Sequence, residues 1–129
     1  MTYDFDSPDP TPPAIEVRWA RPDVAQVVLA GEHDLSTADR LSAVLTKTLD
    51  ECSHLIVDLS TTEFIDSTTI RVLIATKSSA DTGERRFSLL LGTTPVVERA
   101  LEIAGVLTAL NRVDTLDEIP STRSTRSLA

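Results

Sequence analysis

Three hydroxyl residues in a row, Ser67, Thr68 and Thr69, follow Asp66 where an apolar stretch gives way to a helical pattern. A hydroxyl at the start of a helix sits beside backbone N–H groups that lack intrahelical partners and carry partial positive charge. Such a position can bear a phosphate, which those N–H groups help to accommodate. Ser, Thr and Asp in the same place also serve as plain helix caps, and residue type alone does not separate the two uses. A hydrolytic role for Ser67 needs a base and an orienting acid. His33 and His54 are the two histidines, but no nucleophile-elbow glycines flank Ser67. Two histidines and the single Cys52, so far apart, make a poor metal set. The glycines stand alone at 31, 83, 92 and 105, so no Gly-rich loop of nucleotide-binding spacing is present. No catalytic residue, metal or cofactor is expected. Cys52, at the end of an apolar helix face, reads as a small core residue.

The elements that must position these hydroxyls are legible from periodicity. IEVRWA (15–20) alternates Ile15, Val17 and Trp19 with Glu16 and Arg18, the mark of a strand. Arg21-Pro22-Asp23 forms a turn, and VAQVVLAG (24–31) follows as a more apolar strand, most simply antiparallel to the first. Ser36, three residues before Asp39, approximates a capping box for a first helix. Leu41, Val44, Leu45 and Leu49 share one face of that helix, which fades near Cys52. HLIVDLS (54–60) fits a strand buried on both faces, and the polar Thr61-Thr62-Glu63 stretch reads as a short loop. Asp66 offers an N-cap to a second helix from Ser67 to about Asp81, with Ile70, Leu73, Ile74 and Lys77 on one face and Gly83 at its end. RFSLLLG (86–92) is a further strand. Pro95 opens a third helix that carries Val96, Val97, Ala100, Leu101 and Ala104 and closes at Gly105. A short strand near Arg112–Thr115 and a helical turn at Leu116–Ile119 complete a β-β-α-β-α-β-α-β order. The pattern implies an α/β fold whose mixed sheet has parallel crossovers and one antiparallel opening hairpin.

Length and composition bound the rest. A chain of 129 residues fits one domain, and with 4% aromatic residues its core must be built from Val, Leu, Ile and Ala. Residues 1–13 are acidic and proline-rich and are expected to form a disordered tail. The folded domain is expected to span 14–119, and residues 120–129 a flexible tail. A net charge of −8 argues against direct binding of nucleic acid or of an anionic membrane. No stretch approaches the ~20 apolar residues of a membrane span, and the N-terminus lacks the basic and apolar regions of a signal peptide. A lone cysteine suits a reducing compartment. A cytoplasmic location is expected.

The segment HLIVDLSTTEFIDSTTIRVL resembles the signature of STAS domains, the family of bacterial anti-anti-sigma factors, in which an Asp-Ser-Ser/Thr-Gly-Leu run follows a buried strand and a short loop. LAGEHDLSTADRL resembles the family's Leu-x-Gly-Glu-Leu-Asp stretch, and LLLGTTPVVERALEIAGV its later strand, loop and helix. The resemblance covers about 15–119 and implies the STAS fold. It implies a non-enzymatic, partner-switching protein. The unphosphorylated chain binds an anti-sigma factor that is a serine kinase with a histidine-kinase-like ATPase fold, and so frees a sigma factor. Phosphorylation of the Ser that matches Ser67, with Thr68 as the second hydroxyl, ends the binding, and a PP2C-type phosphatase resets it. Asp34 matches a family acidic residue near that serine, and Asp66 the Asp before it. Ser36, Thr69 and Ile70 complete the expected partner-binding set. Thr69 stands where the family usually has Gly, and is expected to place a branched side chain against the partner. The alternative is a STAS subunit that is never phosphorylated, within a signalling or lipid-transport assembly.

Overall fold

The computed structural model describes residues 12–116. Apart from residues 12 and 13, the tails expected at 1–13 and 120–129 lie outside this range, as does the expected helical turn at Leu116–Ile119 beyond Leu116. The elements run β1 (Ala14–Arg21), β2 (Val24–His33), α1 (Leu35–Asp50), β3 (His54–Ile65), α2 (Ser67–Thr82), β4 (Arg86–Leu90), α3 (Pro95–Ala104) and β5 (Arg112–Val113). The strands lie in the order β1-β2-β3-β4-β5, with β1 antiparallel to β2 and the other pairs parallel.

A right-handed strand–helix–strand crossover that always steps in the same direction across the sheet leaves its helix on the same side each time. Alternate residues of the parallel strands show this. Ala25, Val27 and Leu29 of β2, Leu55, Val57 and Leu59 of β3, and Phe87 and Leu89 of β4 meet α1, α2 and α3 in one core. From the helices come Leu41, Leu45 and Leu49, then Ile70, Leu73 and Ala80, then Val97 and Leu101. Cys52 is buried in the same core. On the opposite face Val24, Ile56 and Leu90 form a smaller cluster, beside a buried polar pair in which the Gln26 amide donates to the Asp58 carboxylate at 2.8 Å.

The structure departs from the sequence reading in three places that matter. β3 does not stop at Ser60. It runs to Ile65 by taking in an extra residue at two points opposite β2, between Val28 and Ala30 and between Gly31 and Glu32. Polar side chains hold the first of these bulges: the Asp58 carboxylate accepts from the Ser60 backbone N–H (2.8 Å) and hydroxyl (2.6 Å), while the Thr61 and Thr62 hydroxyls both donate to the Leu29 carbonyl. The expected loop is therefore strand. In α2 the buried face is Thr69, Ile70, Leu73, Thr76 and Ala80, whereas Ile74 is exposed. Thr76 can be buried because its hydroxyl donates to the Val72 carbonyl one turn back. In β1, Ile15 packs on the core, but Val17 and Trp19 stay exposed at the outer edge of the sheet.

Candidate functional site

Because β2, β3 and β4 are parallel, their C-terminal ends deliver the starts of α1, α2 and α3 to one end of the sheet. Two of those starts are tied together. The Asp66 carboxylate accepts from the Thr69 N–H at 3.0 Å, and the Asp66 carbonyl receives the first helical bond, from the Ile70 N–H at 3.1 Å. Asp66 is thus the N-cap of α2, as the sequence reading expected, and Ser67 is the first residue of the helix. Ser67 is exposed, and Asp66 and Thr68 are half-buried. The N–H groups of Ser67 and Thr68 precede the first helical bond, so they face out with the positive end of the helix dipole.

The first helix is capped differently from the sequence reading. Its N-cap is Asp34, not Ser36: the Asp34 carboxylate accepts from the Ser36 N–H (2.9 Å) and the Ser36 hydroxyl (2.6 Å). An Asp one residue before the apparent helix start outcompetes Ser because a carboxylate can take both bonds at once. The Ser36 hydroxyl, and then its backbone N–H, hold the Asp34 carboxyl below the usual aspartate range. Asp34 is therefore ionised at neutral pH.

Thr69 is fully buried, and its hydroxyl donates to the His33 carbonyl at 2.9 Å. This joins the α2 start to the residue just before the α1 cap. Ile70 is also buried, against the core. Thr69 and Ile70 therefore do not belong to the exposed docking surface, contrary to the sequence reading. The reason is phase: Ser67 and Arg71 point out of the helix, so Thr69 and Ile70 must point in.

Neither histidine is placed as a base for Ser67. The buried His33 ring has Nε2 on the Ala30 carbonyl (3.0 Å) and Nδ1 on the Thr37 hydroxyl (3.1 Å). Since a carbonyl only accepts, Nε2 carries the hydrogen. His54 opens β3, at the far end of the sheet. Among the described residues no group of three or more His, Cys, Asp or Glu side chains stands together to hold a metal ion. Among those residues, too, no helix is long and apolar enough to cross a membrane.

The sequence reading missed three exposed apolar residues at this end: Leu35 at the start of α1, Phe64 near the end of β3 and Val96 at the start of α3. Phe64 directly follows the polar Thr61-Thr62-Glu63 stretch, where no strand is expected. Leu35 directly follows the Asp34 cap, a position that carried a usable signal only once the cap was known. The end of the sheet thus combines an exposed hydroxyl, two capping carboxylates and apolar side chains. Such a surface can dock a protein and accept a phosphoryl group.

The protein-family model described as the STAS domain matches residues 19–119. The chain belongs to the STAS family. Among solved structures this STAS domain resembles an anti-sigma factor antagonist from Mycobacterium paratuberculosis, with 26% identity, 83% of this chain and 90% of that chain covered, and a TM-score of 0.74. It shares its fold with the Bacillus cell fate determinant SpoIIAA in the phosphorylated form, at 14% identity over 90% of this chain and all of that one (100%), TM-score 0.63. It also shares its fold with a sulfate transporter family protein from Wolinella succinogenes, at 21% identity over 87% of this chain and 93% of that one, TM-score 0.66. No curated protein matches it in sequence.

Proposed function

We propose that this STAS domain is an anti-anti-sigma factor that binds an anti-sigma factor while Ser67 is unmodified and is released when Ser67 is phosphorylated. The partner is a serine kinase of histidine-kinase-like fold, held against Ser67, Thr68, Asp34, Ser36, Asp66 and the exposed Leu35, Phe64 and Val96. A PP2C-type phosphatase would restore the binding form. The observation that carries this reading is the exposure of Ser67 at the first position of α2, directly after its capping carboxylate. The likeness to an anti-sigma factor antagonist over most of both chains supports it.

The charge arithmetic suffices for a switch without refolding. Phosphate adds about −1.5 to −2 charge beside Asp66, on a chain whose net charge is already −8. Against a carboxylate on the partner ~5 Å away, at an effective dielectric of ~20, repulsion is about 3 kcal/mol per charge pair. That is roughly a hundredfold in affinity. Incubation with the anti-sigma kinase and ATP, read by intact mass and fragmentation, tests the proposal: one phosphate on Ser67 supports it, and an unmodified chain in a lasting complex overturns it.

The second outcome would favour a STAS subunit that is never phosphorylated, a reading motivated by the same fold in a sulfate transporter family protein. Thr69 in place of the usual Gly does not favour that alternative, since its side chain is turned into the protein's own core.

A further inference from the structure

A cavity of about 580 Å³ opens at the end of the sheet away from Ser67. Its walls are the starts of β3 and β4 (His54, Arg86), the last turns of α2 (Lys77, Asp81), Arg85 and the loop before β5 (Asn111). At 1.5 Å per residue, Lys77 and Asp81 lie roughly 15–20 Å along α2 from Ser67. The volume is in the range that small-molecule sites occupy.

The lining has a sign. On a chain of net charge −8, this cavity gathers three cationic side chains and one carboxylate. Lys77 and Asp81 pair with each other at 2.7 Å. Arg85 is anchored, with one guanidinium nitrogen donating to the Leu49 and Cys52 carbonyls at the end of α1. Arg86 is exposed, and among the described residues its guanidinium has neither a hydrogen bond nor an ion pair. The cavity therefore keeps positive charge that the protein does not use internally.

His54 supplies the second observation. The residue is 1% exposed, its Nε2 lies 2.8 Å from the Ser88 hydroxyl, and the buried Nδ1 has no partner. A buried polar atom left unpaired is costly and is usually explained by a ligand or water. Burial, and then Arg86 and Arg21, against the opposing pull of Asp23, hold His54 down to about 4. The ring is neutral at pH 7 and carries one hydrogen. When the Ser88 hydroxyl donates to Nε2, that hydrogen sits on Nδ1 as an unused donor.

We propose that this cavity binds a small organic anion bearing phosphate or carboxylate groups, with Arg86 as its charge partner beside the unpartnered ring of His54. The site is independent of Ser67, and its test leaves the proposed partner switching untouched. The full chain is titrated with inorganic pyrophosphate, and separately with citrate, while backbone and imidazole nitrogens are followed by NMR. Saturable shifts at Ser88, Asn111 and the His54 ring are expected, with affinity falling at least tenfold in Arg86→Gln and unchanged in Arg71→Gln, on the exposed face of α2. Response to pyrophosphate alone assigns phosphate, and response to both extends the class to carboxylates. Non-saturating shifts, or equal affinity in Arg86→Gln, overturn the proposal.

Discussion

The Thr69 hydroxyl donates to the His33 carbonyl at 2.9 Å, and this bond locks the start of α2 to the start of α1. Asp66 and Asp34, the two N-caps, are held side by side through it, and Ser67 is left pointing outward. A residue that the sequence places in the docking motif is in fact part of the mount.

Thr69→Val keeps the shape and removes a donor from a buried carbonyl. A loss of about 1–3 kcal/mol is expected, read as a lower urea midpoint at unchanged m-value. Thr69→Ser, which keeps the donor, should recover most of the loss. Unchanged stability in Thr69→Val would show that the bond does not matter.

Asp66→Ala removes the α2 cap and is expected to cost about 1 kcal/mol, whereas Asp66→Asn should retain most of the stability. Hydrogen exchange of the Thr69 and Ile70 amides reports this locally, with faster exchange in Asp66→Ala alone.

Two groups act in successive windows of the acid profile, and both lower stability as pH falls. The Asp34 carboxyl is lowered in the folded state, so its contribution is complete above the unfolded aspartate range, ~3.9, and is lost as pH falls below it. His54 is lowered to about 4, so between ~6.5 and 4 the unfolded chain binds the proton that the folded chain refuses. Stability should therefore fall as pH drops from 7 toward 4, and His54→Gln should flatten that slope. Thermal unfolding from pH 7 to 4.5 checks it, and a slope unchanged in His54→Gln would reassign its source.

The fold was legible because its signals are apolar and periodic. Val24 to Leu29 and Leu55 to Leu59 read as strands, and Leu41, Leu45 and Leu49 as a helix face, since burial demands those spacings. The Asp66 cap and the Gly83 and Gly105 helix ends were legible from residue type at boundaries. What failed was carried by polar residues acting inside the protein. Ser60 looks like the end of its strand and Thr61 and Thr62 like loop, yet their hydroxyls pin the first bulge of β3. Thr69 and Thr76 look like surface, yet they fill the buried face of α2 with their hydroxyls satisfied by carbonyls. Ser36 looked like a cap because Asp34 could not be seen to reach past it. Hydrogen bonds to distant backbone leave no period in a sequence.

Ser67→Ala should bind the anti-sigma kinase constitutively, since it removes the acceptor and leaves both capping carboxylates in place. Ser67→Glu should bind more weakly than Ser67→Ala but more tightly than the phosphorylated protein, because one carboxylate carries less charge than phosphate. Competition binding at fixed salt ranks the three.

The central claim is that added negative charge at the tip of α2 is enough to break docking. Isothermal titration of the anti-sigma kinase with the unmodified and the Ser67-phosphorylated chain tests it most directly. The expected result is a loss of roughly a hundredfold or more in affinity, shrinking as salt is raised, with the two forms superimposable in their amide spectra away from α2. Equal affinity for the two forms would contradict the account.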